Sequence, residues 1–350
     1  MNENDRVYVE KHQVRRVLIA ILLLFILSAC SFFQTIHSPL TKSLSLVDVR
    51  VVKHIMGETV VPAHPQRVAI LSHGLLEPAF ALGVKPIAAP KLAVLELQQL
   101  VSNLESIEDV DYFSPNLEKL LRLKPDLILG YRSHQNIYPL LSHIAPTVLA
   151  TFDPLTPWKG FLAFTADALG KTQEAQQIMA NYYARLTQLQ AEMGRDRQTT
   201  VVSVCMLRES GLFLLQKATL AGVILNDAGI KRPLNQLFDV QTSLRKFGYS
   251  LFSRVSGELL HEIDGDILFL FVQDTVGDRN LNPAVEQLKA SPLWSKLKVV
   301  QKNQVFMVGV YWTGNGPISA NRVIDDLFRY LVKQSSGLFE SSWSKEYQNA

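Results

Sequence analysis

The residues able to do chemistry in this chain are few and scattered. Its two cysteines, Cys30 and Cys205, stand far apart, and neither sits in a Cys-x-x-Cys pair. Thiolate metal clusters and a disulfide framework are therefore not expected. Cys205 lies in the apolar run 201–207, where a buried, inert thiol is the simplest reading. His54, His64, His73, His134, His143 and His261 could each ligate a bare cation, but none falls in a His-x-x-x-His pair. His64 sits inside a Pro-Ala-His-Pro turn and reads as structural. Asp264-Gly-Asp266 could hold a hydrolytic metal, but it precedes an apolar strand and fits an entering turn better. The chain has no Gly-x-Ser-x-Gly elbow, no Gly-x-x-x-x-Gly-Lys-Ser/Thr loop and no Gly-x-Gly-x-x-Gly. Catalysis is not expected, and metal sites of the protein's own are not expected either.

Arg132 and His134 stand out by position. They directly follow Leu127-Ile-Leu-Gly130, and loops after strand C-termini line the ligand cleft of open α/β sheets. Arginine brings a rigid fork of donors to an oxygen-rich ligand. A solvated surface turn is the competing reading.

The elements that must position these residues alternate. Residues 68–71, 86–89, 126–129 and 146–149 read as strands buried on both faces, with helical patterns over 75–82, 92–104, 117–123 and 137–144 between them. This is the βαβ rhythm of a parallel sheet covered on both sides. Ala175, Ile178, Met179, Tyr182, Leu186, Leu189 and Met193 then recur at three- and four-residue steps, predicting one long helix over 171–193 that Gly194 ends. Strand patterns resume at 200–207, 267–272 and 305–308, and an amphipathic helix over 320–332 closes the chain. The expected architecture is α/β: two Rossmann-like lobes with mainly parallel sheets, joined by one long interdomain helix, with a ligand in the cleft between them.

At 350 residues and 47% hydrophobic, the chain can bury two cores. Thirty-five basic residues against 32 acidic ones give a net charge of +3, and no basic run suggests nucleic acid. At the N-terminus Lys11, Arg15 and Arg16 precede the apolar stretch 17–27. As a helix that stretch spans about 16 Å, roughly half a hydrocarbon core, so it reads as a secretory signal rather than a membrane span. It closes on Leu27-Ser-Ala-Cys30, which resembles a bacterial lipobox, in which the cysteine is acylated and becomes the first mature residue. The expected division is a leader over 1–29, a tether over 30–46, a first lobe over 47–157, a connecting region over 158–194 and a second lobe over 195–340.

Gly57-Glu-Thr-Val-Val-Pro-Ala-His-Pro-Gln-Arg-Val68, followed by Ala81-Leu-Gly-Val-Lys-Pro86, resembles the opening of iron-siderophore substrate-binding proteins of the helical-backbone class. Further signals of that family follow in order: Pro115-Asn-Leu-Glu118, Lys124-Pro-Asp-Leu-Ile128, Ile144-Ala-Pro-Thr147, Ala221-Gly-Val-Ile-Leu225, Asp264-Gly-Asp266, Pro292-Leu-Trp294 and Trp312. Each is weak alone; their order over roughly residues 55–332 is specific. The resemblance implies a rigid connecting helix, little hinge closure and a ferric siderophore as cargo, delivered to an ABC permease and its ATPase. It also implies an extracytoplasmic protein held to the membrane by lipid, and a monomer is expected.

The resemblance also implies roles for individual residues. Glu118 and Glu258, each in a first helical turn behind an N-cap serine, match the two glutamates that face the permease. Dipole stabilisation is the plainer reading of both. Trp312, beside Tyr311, matches a cleft tryptophan. Arg245, Phe247 and Tyr249 precede the second docking turn, and Tyr249 is placed with the ligand. Tyr112 stands where hydroxamate binders often carry an arginine. Another expected arginine falls on Met206, and Arg208, on the same strand face, can substitute. A site more aromatic than cationic favours a hydroxamate or mixed chelate. Haem, cobalamin or a bare transition-metal ion on the same fold, and a metal-dependent hydrolase, are the alternatives.

Overall fold

A computed structural model describes residues 48–151, 158–273 and 282–332. The apolar leader, Cys30 and the expected tether lie outside the described residues. An antiparallel hairpin comes first, β1 (Val49–His54) with β2 (Gly57–Pro62). The first lobe is built on β3 (Val68–Ile70), β4 (Ala88–Ala89), β5 (Glu108–Asp109), β6 (Leu127–Tyr131) and β7 (Thr147–Ala150). These pair in parallel, in the order β5-β4-β3-β6-β7. The second lobe holds β8 (Val202–Arg208), β9 (Gly211–Leu215), β10 (Phe252–Val255), β11 (Ile267–Val272) and β12 (Val305–Met307). Its order is β10-β9-β8-β11-β12, with β9 antiparallel to both neighbours and β8, β11 and β12 parallel. The α/β reading holds, with one mixed sheet.

The strands read as unbroken apolar runs because both faces are covered. Val68, Ile70, Leu127 and Leu129 join one core, while Ala69, Leu71 and Ile128 join another on the opposite face. Since successive side chains alternate sides, every position must be apolar. The second lobe repeats the logic. Val204, Met206, Phe269 and Phe271 face one way, and Cys205, Leu207, Leu268 and Leu270 the other.

Helices His73–Ala81, Lys91–Leu97, Leu117–Leu123 and Tyr138–Ile144 cover the first sheet. The helix expected over 92–104 stops at Leu97, and Leu100 and Val101 pack on the core from a turn. Helix Trp158–Leu169 leads into Thr172–Met193, whose 22 residues span about 33 Å. The long helix packs on Trp158–Leu169 and on the closing helix Pro317–Leu327, while Trp158–Leu169 also packs on His73–Ala81 of the first lobe. Arg185 ties it to Asn321 and Asp325, and Tyr182 donates to Asp227 at 2.7 Å. One apolar cluster runs through both lobes and these helices. Asp264-Gly-Asp266 forms the turn into β11: Asp264 accepts from the N–H groups of Lys298 and Val299, and Asp266 from that of Val201. No helix among the described residues is long and apolar enough to cross a membrane.

Candidate functional site

Parallel strands deliver the loops that follow them to one edge. In the first lobe β3 leads to Ser72 and His73, and β6 to Arg132; in the second, β8 ends at Arg208 and β11 leads to Gln273. The lobes meet at a crevice lined by His73, Glu77 and Glu96 on one side and Tyr311, Asn315 and Ser319 on the other. Its volume of about 30 Å³ admits water rather than a ligand.

Glu77 ties the lobes together. Its carboxylate accepts from the Ser319 N–H at 2.6 Å, the Ser319 hydroxyl at 2.9 Å and the Asn315 N–H at 3.3 Å. These donors surround the start of helix Pro317–Leu327, whose first N–H groups have no partner within the helix. Burial pushes the Glu77 pKa up, against the pull of those hydrogen bonds. A side chain at Gly316 would lie 2.8 Å from the Glu77 carboxyl carbon, so glycine is what lets the lobes close here. One turn earlier His73 Nε2 meets Glu96 at 2.6 Å.

The first-lobe wall contains a hollow of about 430 Å³ lined by Tyr112, Tyr131, Arg132, Ser133, Gln135 and Asn136. It brings together Tyr112 and Arg132, and Arg132 is exposed. Tyr112 packs edge-on against Phe113 at 4.9 Å, and Phe113 is 92% exposed. His134 turns inward. It is only 3% exposed; its Nδ1 accepts from the Tyr131 N–H at 3.1 Å, and it hydrogen-bonds the backbone of Tyr112. Burial lowers its pKa, so the imidazole stays neutral near pH 7. It braces the wall from inside.

The second-lobe wall is paved with rings. Arg208 donates from Nη2 and Nε to Gln273 Oε1, at 2.6 and 3.1 Å. Its guanidinium sits 5.7 Å from the Phe213 ring and 5.4 Å from that of Phe252. Burial draws its pKa down, while Tyr249 and Glu96, the latter on the first lobe, draw it back up. Tyr249 is 51% exposed and packs edge-on against Phe213. Arg254 stands on the next strand, and with Arg208 it borders a hollow of about 690 Å³.

Trp312 also turns inward. It is fully buried, with its ring 4.5 Å from Phe269 and its indole N–H donating to Asp326 at 2.9 Å. The indole is core, because its one polar atom is satisfied inside the protein. The neighbouring Tyr311 lines the crevice and donates to the same carboxylate at 2.7 Å.

Glu118 and Glu258 are both exposed, one on each lobe. Asn116, not Ser114, caps the Glu118 helix, its side chain accepting from the Lys119 N–H at 2.9 Å. Ser256 precedes the 3₁₀ helix of Glu258 without a side-chain cap. Sequence reasoning missed Glu77, the His73–Glu96 pair, Arg254, Phe213 and Phe252. The last three lie on β9 and β10; the apolar run after Gly211 could have revealed the first of these strands. No group of three His, Cys, Asp or Glu side chains gathers among the described residues in a way that could hold a metal.

A model of the periplasmic binding protein family matches residues 68–309. The chain belongs to that family. A probable siderophore-binding lipoprotein of Bacillus subtilis (strain 168) is 30% identical over 330 residues, covering 92% of this chain and 99% of the relative. The achromobactin-binding periplasmic protein of Dickeya dadantii (strain 3937) is 30% identical over 290 residues, covering 76% and 86%. Among solved structures, Staphylococcus aureus SirA complexed with staphyloferrin B superposes with a TM-score of 0.65 at 27% identity, covering 81% of this chain and 98% of that one.

Proposed function

We propose that this family member is a lipid-anchored, extracytoplasmic receptor that captures a ferric siderophore between its lobes and hands it to an ABC importer without catalysis. The observation that carries the reading is that each lobe sets an arginine beside an exposed tyrosine: Arg132 with Tyr112, and Arg208 with Tyr249. A siderophore already fills the coordination sphere of its iron. The protein then needs donors for the chelate's oxygens and rings for its skeleton, but no metal ligands of its own. The relatives named for siderophores support the same cargo. In this reading Cys30 carries the anchor, Glu118 and Glu258 meet arginines of the permease, and the receptor works as a monomer.

The test is a titration of the full chain in detergent micelles, followed by tryptophan fluorescence. Ferric siderophores, ferric citrate, haem, cobalamin and Zn²⁺ are compared. Saturable quenching by a ferric chelate is expected, and Arg132→Ala should weaken it about tenfold, as for one charged hydrogen bond. Saturation by haem, cobalamin or zinc with no response to any ferric chelate would refute the proposal.

A further inference from the structure

We infer that Arg208 and Arg254 form a two-pronged anion receptor, and that the cargo is a carboxylate-bearing ferric chelate rather than a neutral trihydroxamate. This rests on the ferric-chelate reading above and specifies its chemistry. It also departs from the hydroxamate preference that the sequence suggests, because Arg254 enters the site only through the fold.

Paired residues of antiparallel strands point to the same face of the sheet. Arg208 pairs with Gly211, and Phe213 pairs with both Met206 and Arg254. Arg208, Gly211, Phe213 and Arg254 therefore share one face of β8, β9 and β10, at the edge where the strands reach the cleft. Gly211, directly after the turn that follows Arg208, has φ of 127°, in the region that favours glycine. The missing side chain has a second consequence. A methyl group at Gly211 would lie 3.2 Å from Arg254 Nε and 3.4 Å from its Nη2. The Arg254 guanidinium thus lies over the residue directly opposite Arg208.

Arg208 is held in place by Gln273 and two phenyl rings, while Arg254 is exposed. Neither forms an ion pair with a described carboxylate. An anion placed between two guanidinium groups on one sheet face is attracted by both. Each guanidinium is a planar fork that matches a carboxylate through two parallel hydrogen bonds. A neutral ferric trihydroxamate has no such group to offer. A ferric tris-catecholate carries negative charge but no carboxylate.

Full-length protein in detergent is titrated with ferric citrate, a neutral ferric trihydroxamate and a ferric tris-catecholate. The same titrations are run on Arg254→Gln, Arg254→Lys and Arg208→Gln, with thermal unfolding as the folding control. Ferric citrate should bind most tightly. Arg254→Gln should weaken it about ten- to a hundred-fold, and Arg254→Lys, which keeps charge but loses the fork, by less. Added salt should weaken ferric citrate alone among the neutral and carboxylate ligands. A trihydroxamate or tris-catecholate bound more tightly than ferric citrate would overturn the inference and leave the ferric-chelate function standing. Unchanged ferric citrate affinity in a folded Arg254→Gln would do the same. A wild-type protein that binds no ferric chelate would overturn both.

Discussion

Replacing Glu77 with alanine should loosen the junction between the lobes. The carboxylate accepts three hydrogen bonds from Ser319 and Asn315, two of them at 2.9 Å or less, and it is buried. Alanine would strand those donors at the start of helix Pro317–Leu327 and remove a negative charge from its positive end. Orphaning a buried polar group costs about 1–3 kcal/mol. Water entering the adjoining crevice recovers part of that, so a net loss of about 3 kcal/mol is expected. Urea unfolding followed by tryptophan fluorescence measures it, since Trp158 and Trp312 are both buried. The pH dependence adds a second check. Burial raises the folded Glu77 pKa above the ordinary value of 4.5. Such a group holds its proton more tightly when folded, so its contribution improves as pH falls through the folded pKa and levels off below about 4.5. Alanine lacks this gain, so the gap between wild type and variant should widen as pH falls from neutral toward about 4.5. A loss below about 0.5 kcal/mol at neutral pH, or a gap that narrows on acidification, would refute this account of Glu77.

Three further outcomes are expected. Glu118→Ala with Glu258→Ala should abolish uptake in cells while ligand affinity stays within error; lost affinity or surviving uptake would sink the docking assignment. Trp312→Phe should lower stability by about 1–3 kcal/mol, because the buried Asp326 carboxylate loses one of its two hydrogen bonds and keeps only that from Tyr311, with ligand affinity unchanged in the same titration. A marked fall in affinity with stability intact would return Trp312 to the cleft. Mass spectrometry of membrane-extracted protein should show Cys30 as a diacylated N-terminus, since two chains give a stable anchor where one does not; an intact apolar stretch 17–27 would contradict this.

One core cluster spans both lobes, so any hinge motion would have to shear it. That continuity accounts for a long helix that packs along its length instead of bridging open space. It also makes Glu77 one tie among several, which is why its loss should cost stability before it costs the fold.

The sequence by itself determined the layered α/β plan and the long helix. Strands buried on both faces must be apolar at every position, and Thr172–Met193 repeats its buried residues at helical steps; both are one-dimensional signals. It also marked Arg132, because loops after parallel strands go to a known edge, while Tyr112, Arg208 and Tyr249 were marked only by the resemblance to a family. Tertiary structure alone decided which polar groups are satisfied inside the protein and which stay exposed. His134 and Trp312 look like binding residues by type and position. Each is spent internally, on the backbone of Tyr112 and Tyr131 and on Asp326, and no local pattern encodes those partners. Glu77 reads as an ordinary helix carboxylate until the fold brings Ser319 to it across the chain. Arg254 becomes a neighbour of Arg208 only through the antiparallel register of β9 and the missing side chain of Gly211. Periodicity reports how a segment meets a core; pairing between distant segments is set by the three-dimensional register.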